Sequence, residues 1–200
     1  MQLVDEGAVD LDAPAAEYAP GYGVPASVTV RDLLNQTSGF GYFEPLSGAR
    51  SGEAAGSFSY ANANYDLLGR IVERASGMPL GAYLREFVFS PLGMGDASAG
   101  GEPERAPRAE GNRSWFGMWA ADGFEHREGD DAWGGPASGY VRASVSDMAA
   151  YLRMYLNSGE AAPGGARVLS SRAVHRMIFS RVPDPEGDTY YGMGCTTYSW

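Results

Sequence analysis

The chain has 200 residues, 44% of them apolar and 12% aromatic, which suffices for one domain with a buried core. Its formal charge of -10 and pI near 4.6 repel phosphate backbones and anionic headgroups, so nucleic acid and membrane surfaces are excluded as electrostatic partners. The single cysteine, Cys195, forms no internal disulfide and reads as a small core hydrophobe, and no apolar run approaches the roughly 18 residues of a membrane span.

Met1 opens directly into Gln2-Leu3-Val4-Asp5, without a basic-then-apolar leader. Residues 1–7 read as the end of a helix, with Leu3 and Val4 apolar and Gly7 placed for the left-handed C-terminal cap. Thr29 with Asp32 three residues on marks the start of a short helix over Val30 to Leu34 that stops before Thr37-Ser38-Gly39. The Gly- and Ser-rich stretch 39–56 is expected to be a loop. From Asn62 to Ser76 the residues Tyr65, Leu68, Ile71, Val72 and Ala75 recur at helical spacing, closed by Gly77 and Pro79. Tyr60 then lies in the turn that feeds this helix, and Asn62 at or near its N-cap.

A second amphipathic run, Leu80 to Phe89, stops at Pro91-Leu92-Gly93-Met94. Residues 95–139, rich in Gly, Pro, Arg and acids and carrying Trp115, Phe116, Trp119 and Phe124, read as a long irregular segment, a functional loop or a lid. Ser146-Asp147 opens a helix with Met148, Tyr151, Leu152 and Tyr155 on one face, and Ser170 opens another with Ala173, Val174, Met177 and Ile178 together. The end, residues 189–200, is rich in Tyr, Thr and Trp and reads as one or two strands. The expected fold is mainly α with a small β portion.

Few residues offer metal or cofactor chemistry, and neither a metal nor a cofactor is expected. His126 and His175 lie neither in a Gly-x-Ser-x-Gly turn nor at metal-ligand spacing. Glu125, Glu128, Asp130 and Asp131 lack the alternation of a calcium loop and read as a solvated charge run. All 15 basic residues are arginine, so chemistry that needs a lysine amine is closed to this chain alone.

Taken together, Val30-Arg31-Asp32-Leu33-Leu34-Asn35-Gln36-Thr37-Ser38-Gly39, Phe58-Ser59-Tyr60-Ala61-Asn62, Tyr65 to Gly77 and Pro91-Leu92-Gly93-Met94 resemble consecutive blocks of the class C β-lactamase-like serine hydrolases, the β-lactamase, DD-peptidase and esterase superfamily. Gly135-Pro136-Ala137-Ser138-Gly139 with Ser144 to Met148, and Tyr191-Gly192-Met193-Gly194, are similar to later blocks. The resemblance implies a partial β-lactamase/transpeptidase-like fold, a helical domain plus the start of an antiparallel sheet. It also implies that Tyr60 and Asn62 are the two named positions of a Tyr-x-Asn motif. A phenol beside a cationic lysine can relay protons to and from a serine nucleophile, and an amide that donates and accepts can hold the lysine or the substrate. Trp115, Phe116 and Trp119 fall where a cleft-bordering loop is expected, either contacting an apolar acyl group or packing the loop down. Ser146-Asp147-Met148 looks superficially like the Ser-Asp-Asn of class A enzymes but lacks the asparagine, and a helix N-cap explains it better.

The departure from the pattern is specific. Ser-x-x-Lys would fall roughly ten residues before Met1, and the Lys-Thr-Gly or His-Thr-Gly motif past Trp200. Residues 1–200 are therefore expected to be one truncated domain of a serine hydrolase acting on a small-molecule or peptide amide, β-lactam or ester, inactive as it stands. The competing expectations are a non-catalytic binding or regulatory homologue and a helical interaction module.

Overall fold

The computed structural model describes residues 1–42, 55–99, 109, 112–115, 118–121, 137–185 and 187–198. It is mostly helical, with a small antiparallel sheet formed by the C-terminal strands. Three short helices, α1 (Gln2–Asp5), α2 (Ala15–Tyr18) and α3 (Val30–Leu34), surround the long α4 (Asn62–Ser76). In α3 the expected start is present as a full capping box. The Thr29 hydroxyl accepts from the Asp32 amide, and the Asp32 carboxylate accepts in return from the Thr29 amide. Helix α4 ends where Gly77 takes the left-handed φ of 71°.

The buried face of α4 is Ala63, Asn64, Leu67, Gly69 and Ile71. The expected positions Tyr65, Leu68, Val72 and Ala75 flank this face and are half-buried. Leu67 and Ile71 join Leu11, Val30, Leu33 and Phe40 in a first core. Helices α5 (Leu80–Leu84) and α6 (Ser90–Leu92) are joined by a π-helical turn at Arg85–Phe89, and they lead to a second core. There Phe89, Leu92 and Met94 meet α7 (Val145–Leu156) and α8 (Ser171–Phe179). Met1 and Met177 touch both cores. Between the cores lies an apolar cavity of about 730 Å³, bordered by Leu3, Val72 and Tyr83 on one side and Met154, Val168 and Leu169 on the other.

Helix α7 starts earlier than expected, because Ser144 is the N-cap and Asp147 its capping-box partner. Its orientation also differs: Asp147, Ala150 and Met154 are buried, whereas Met148 and Leu152 are exposed together with Val145 (88%) and Leu156 (85%). Helix α8 follows its expected face, with Ala173 and Val174 buried and Met177 and Ile178 half-buried. Its N-cap Ser170 donates through both amide and hydroxyl to the Asp5 carboxylate, at 3.0 and 2.8 Å, which ties α8 to α1.

Two results refine the reading of the strands. The C-terminal segment forms β4 (Thr189–Tyr191) and β5 (Thr196–Tyr198), and both belong to a three-stranded antiparallel sheet with β3 (Val182–Pro183). A two-residue strand containing proline gives no alternation to read. Within the segment read as irregular, β1 (Asn112–Trp115) and β2 (Met118–Ala121) pair antiparallel. Most of the loop at 39–56, with Phe124, His126, Glu125, Glu128, Asp130, Asp131 and Gly135-Pro136, lies outside the described residues.

Candidate active site

Tyr60 stands in extended backbone just before α4, and one residue holds the chain on both sides of it. The Ser59 amide donates to the Gln36 carbonyl at 2.8 Å, and the Ala61 amide donates to Gln36 Oε1 at 3.0 Å. Gln36 Oε1 also accepts a short hydrogen bond from Asn64 Nδ2. Asn64 Oδ1 accepts from the Ser38 hydroxyl at 2.6 Å, and that hydroxyl accepts from the Phe40 amide at 3.2 Å. Gln36, Ser38 and Asn64 are all buried, so this is a polar network inside the first core, where each unpaired group would carry a desolvation cost. Gln36 carries two costs of different kinds. Its φ is 60°, a left-handed conformation worth about 1–2 kcal/mol against a residue with a Cβ, and its buried Nε2 has no hydrogen-bond partner among the described residues.

The phenol of Tyr60 faces outward and the residue is 40% exposed. Its ring lies 5.7 Å from that of Tyr42 and 6.4 Å, edge-on, from that of Tyr191 on β4. Tyr191 in turn packs on Phe58 at 5.1 Å and donates to the Tyr65 hydroxyl at 3.4 Å, which donates to the Leu34 carbonyl at 3.1 Å. Four tyrosines therefore converge, and the hydroxyls of three of them differ: those of Tyr191 and Tyr65 run inward to a backbone acceptor, while that of Tyr60 stands at the surface of the cluster. Desolvation raises the Tyr60 pKa above the ordinary phenol value, and the neighbouring Tyr191, Tyr42 and Asp66 push it further in the same direction. Every named influence thus favours the neutral phenol, a proton donor. To act as a base it needs a cation beside it.

Asn62 lies next to the N-cap, within the position expected for it. The cap is Ala61, in extended conformation with no side-chain cap, and Asn62 is the first helical residue, half-buried. Next to it, Asp66 Oδ1 accepts the Ser138 amide at 3.0 Å. A Cβ on Gly69 would come within 2.4 Å of the Ala137 Cβ, so the absence of a side chain on α4 is what lets the 137–139 turn dock beside the Tyr60 end of the helix. Trp115 and Trp119 take part in the β1–β2 hairpin through their backbones; their side chains, and Phe116 entirely, lie outside the described residues.

The remaining candidates have structural partners. The Cys195 thiol donates to the Met177 carbonyl at 3.7 Å, and burial raises its pKa, which keeps it the protonated, unreactive form. His175 stacks on Phe179 at 4.5 Å along the surface of α8. Among the described residues no group of three or more His, Cys, Asp or Glu side chains is arranged to hold a metal.

Comparison with known proteins settles the family. The family model described as Beta-lactamase matches residues 1–199. The chain belongs to the β-lactamase family. Penicillin-binding protein 4 of Amycolatopsis lactamdurans is 31% identical over 100% of this chain and 59% of its own length. Esterase EstB of Burkholderia gladioli is 31% identical over 52% of this chain and 36% of its length. The crystal structure of a penicillin binding protein from Bacillus halodurans superposes with a TM-score of 0.77 at 21% identity, covering 100% of this chain and 66% of that one. This β-lactamase-family chain thus spans about three-fifths of its curated relative's length.

Within the family frame, the part of the site that the motif alone did not reveal is its buried support. Gln36, Ser38 and Tyr191 fall inside the blocks that carry the family resemblance and Asn64 lies between two of them, but no periodicity assigns them a partner. Their one local signal is the polar run Asn35-Gln36-Thr37-Ser38 directly after the apolar Leu33-Leu34.

Proposed function

We propose that this chain supplies the Tyr-x-Asn half of a serine acyl-transfer site, with Tyr60 as the proton relay and Asn62 as the holder of substrate or of the lysine amine. In the whole protein the site would form an acyl-enzyme from a small amide, β-lactam or ester and then hydrolyse it. The observation that carries this reading is the contrast among the clustered tyrosines. Of Tyr60, Tyr65 and Tyr191, Tyr60 is the one exposed at the surface, on a backbone fixed on both sides, while Tyr65 and Tyr191 spend their hydroxyls on a chain of hydrogen bonds to Leu34. The names of the relatives, a penicillin-binding protein and an esterase, support the substrate class.

The 200 residues contain no lysine, so by themselves they should not turn over substrate. In a chain that also carries an upstream Ser-x-x-Lys segment, hydrolysis of a chromogenic cephalosporin or a short p-nitrophenyl ester is expected. Tyr60→Phe should then lower kcat by about 10²–10⁴-fold, the usual worth of a positioned proton-transfer group. Turnover by the 200 residues alone, or a Tyr60→Phe variant with unchanged kcat, would refute the assignment. Trp115, Phe116 and Trp119 remain candidates for an apolar acyl subsite, to be tested by whether Trp115→Ala and Trp119→Ala raise KM more for long-chain than for short-chain esters.

The lack of any lysine beside an intact Tyr60 and Asn62 also motivates a second reading, a non-catalytic homologue that binds a penicillin-type ligand without acylation. Saturable, fully reversible binding of a penicillin by the 200 residues would favour it.

A further inference from the structure

We propose that Gln36 is the positioning residue of the Tyr60 phenol, gripping the backbone on both sides of it. The inference rests on the reading of Tyr60 as the relay, and it names the part of the site that aims it.

Two amides bracket Tyr60, those of Ser59 and Ala61, and both donate to the same residue: the first to the Gln36 carbonyl at 2.8 Å, the second to Gln36 Oε1 at 3.0 Å. In an extended segment the amides of residues before and after a given one point to the same edge. A single residue that offers a main-chain and a side-chain acceptor along that edge therefore fixes the direction in which the intervening side chain leaves the backbone. The Oε1 atom is itself fixed, because it also accepts from Asn64 Nδ2, and Asn64 is held by Ser38. The grip thus extends from the turn after α3 to the first turn of α4.

Gln36 is a costly way to fill that position. It adopts a left-handed φ of 60° and leaves its Nε2 without a partner among the described residues, while being 0% exposed. A residue serving stability alone would avoid both features, and their coincidence next to a candidate catalytic side chain is the pattern of strain retained for geometry. A glutamine reaches Ala61 and Asn64 with one oxygen, and methionine, of similar length and shape, reaches them with none.

The test follows the ring rather than turnover, so it stands or falls separately from the catalytic reading. In the 200-residue chain with labelled tyrosine and backbone nitrogen, NMR reports the contacts of the Tyr60 ring with Tyr42 and Tyr191, and hydrogen exchange reports the Ser59 and Ala61 amides. In the wild type these two amides should be protected to the same degree as the Leu67 amide in the core. Gln36→Met should leave the Tyr65–Tyr191 contact intact, abolish the fixed Tyr60–Tyr42 and Tyr60–Tyr191 contacts, and speed Ala61 exchange by about tenfold or more relative to Leu67, the signature of a local opening. Gln36→Glu, which keeps an oxygen in the Oε1 position, should restore both. A Gln36→Met variant that merely melts at lower temperature with its Tyr60 contacts unchanged would assign Gln36 a structural role only. So would a Gln36→Glu variant that fails to restore the contacts. Should Gln36→Met not fold, the wild-type exchange decides: Ser59 and Ala61 amides that exchange far faster than Leu67 overturn the proposal.

Discussion

Tyr60 and Tyr65 are five positions apart in sequence and opposite in physical situation. The Tyr65 hydroxyl is enclosed between Tyr191 and the Leu34 carbonyl, and burial drives its pKa far above the ordinary phenol range, with Tyr191 adding to the effect. The raised folded-state value means that the unfolded chain releases this proton first. The stabilisation from Tyr65 is therefore complete below about pH 10 and is lost as the pH climbs past that value. Tyr155, raised chiefly by burial and then by Tyr151, adds to the same alkaline loss. Urea midpoints should fall steeply from about pH 9 to about pH 11, and Tyr65→Phe should flatten that fall. By contrast, Tyr60→Phe should leave the midpoint near neutrality almost unchanged, because the phenol is at the surface of the cluster. Tyr60 was legible in the sequence through its place among the family blocks. Gln36 was not, because its role depends on a side-chain oxygen meeting an amide 25 residues away, and separations of that kind leave no local pattern.

At the scale of elements, the helix signals that depend on neighbouring residues held well. The Thr29 to Asp32 capping box and the Gly77 stop are both present. Thr29→Ala should cost about 1 kcal/mol in chemical denaturation. Helix α7 shows where local reasoning fails. Its apolar residues form two stripes, and periodicity cannot say which turns inward when both repeat at helical spacing. Contact with Phe89, Leu92, Val168 and the rest of the second core selects the stripe carrying Ala150 and Met154. Leu152→Glu should accordingly change stability by no more than about 0.5 kcal/mol, the usual range for a surface site. Met154→Ala should cost about 2–5 kcal/mol through the cavity it leaves. The contact between α4 and the 137–139 turn is equally specific. A Gly69→Val variant must displace Ala137, which should lower the thermal midpoint and release the Ser138 amide from Asp66.

At the scale of the molecule, two apolar cores meet across the cavity, and the Tyr60 cluster sits where α3, α4 and β4 converge on the first core. The mainly helical fold with a small antiparallel sheet was expected from the order of the blocks, and a match to the Beta-lactamase family model over residues 1–199 agrees with it. The β1–β2 hairpin and the short β3 escaped because strands this short depend on their partners more than on their own sequence. Family membership does not choose among amide, β-lactam and ester, since those activities share this motif and differ in the shape of the cleft around it. The fold places Tyr60 and Asn62 at the head of α4, with Gln36 bonded to the backbone on both sides of Tyr60, and the proposed half-site rests on that placement. Its most direct test is the rate of acylation by a labelled penicillin, followed by intact mass, in a chain that joins these 200 residues to an upstream Ser-x-x-Lys segment. The account predicts a single acyl adduct on that serine, formed about 100-fold or more slowly in Tyr60→Phe. Acylation at the same rate in both forms, or an adduct on the 200 residues alone, would contradict it.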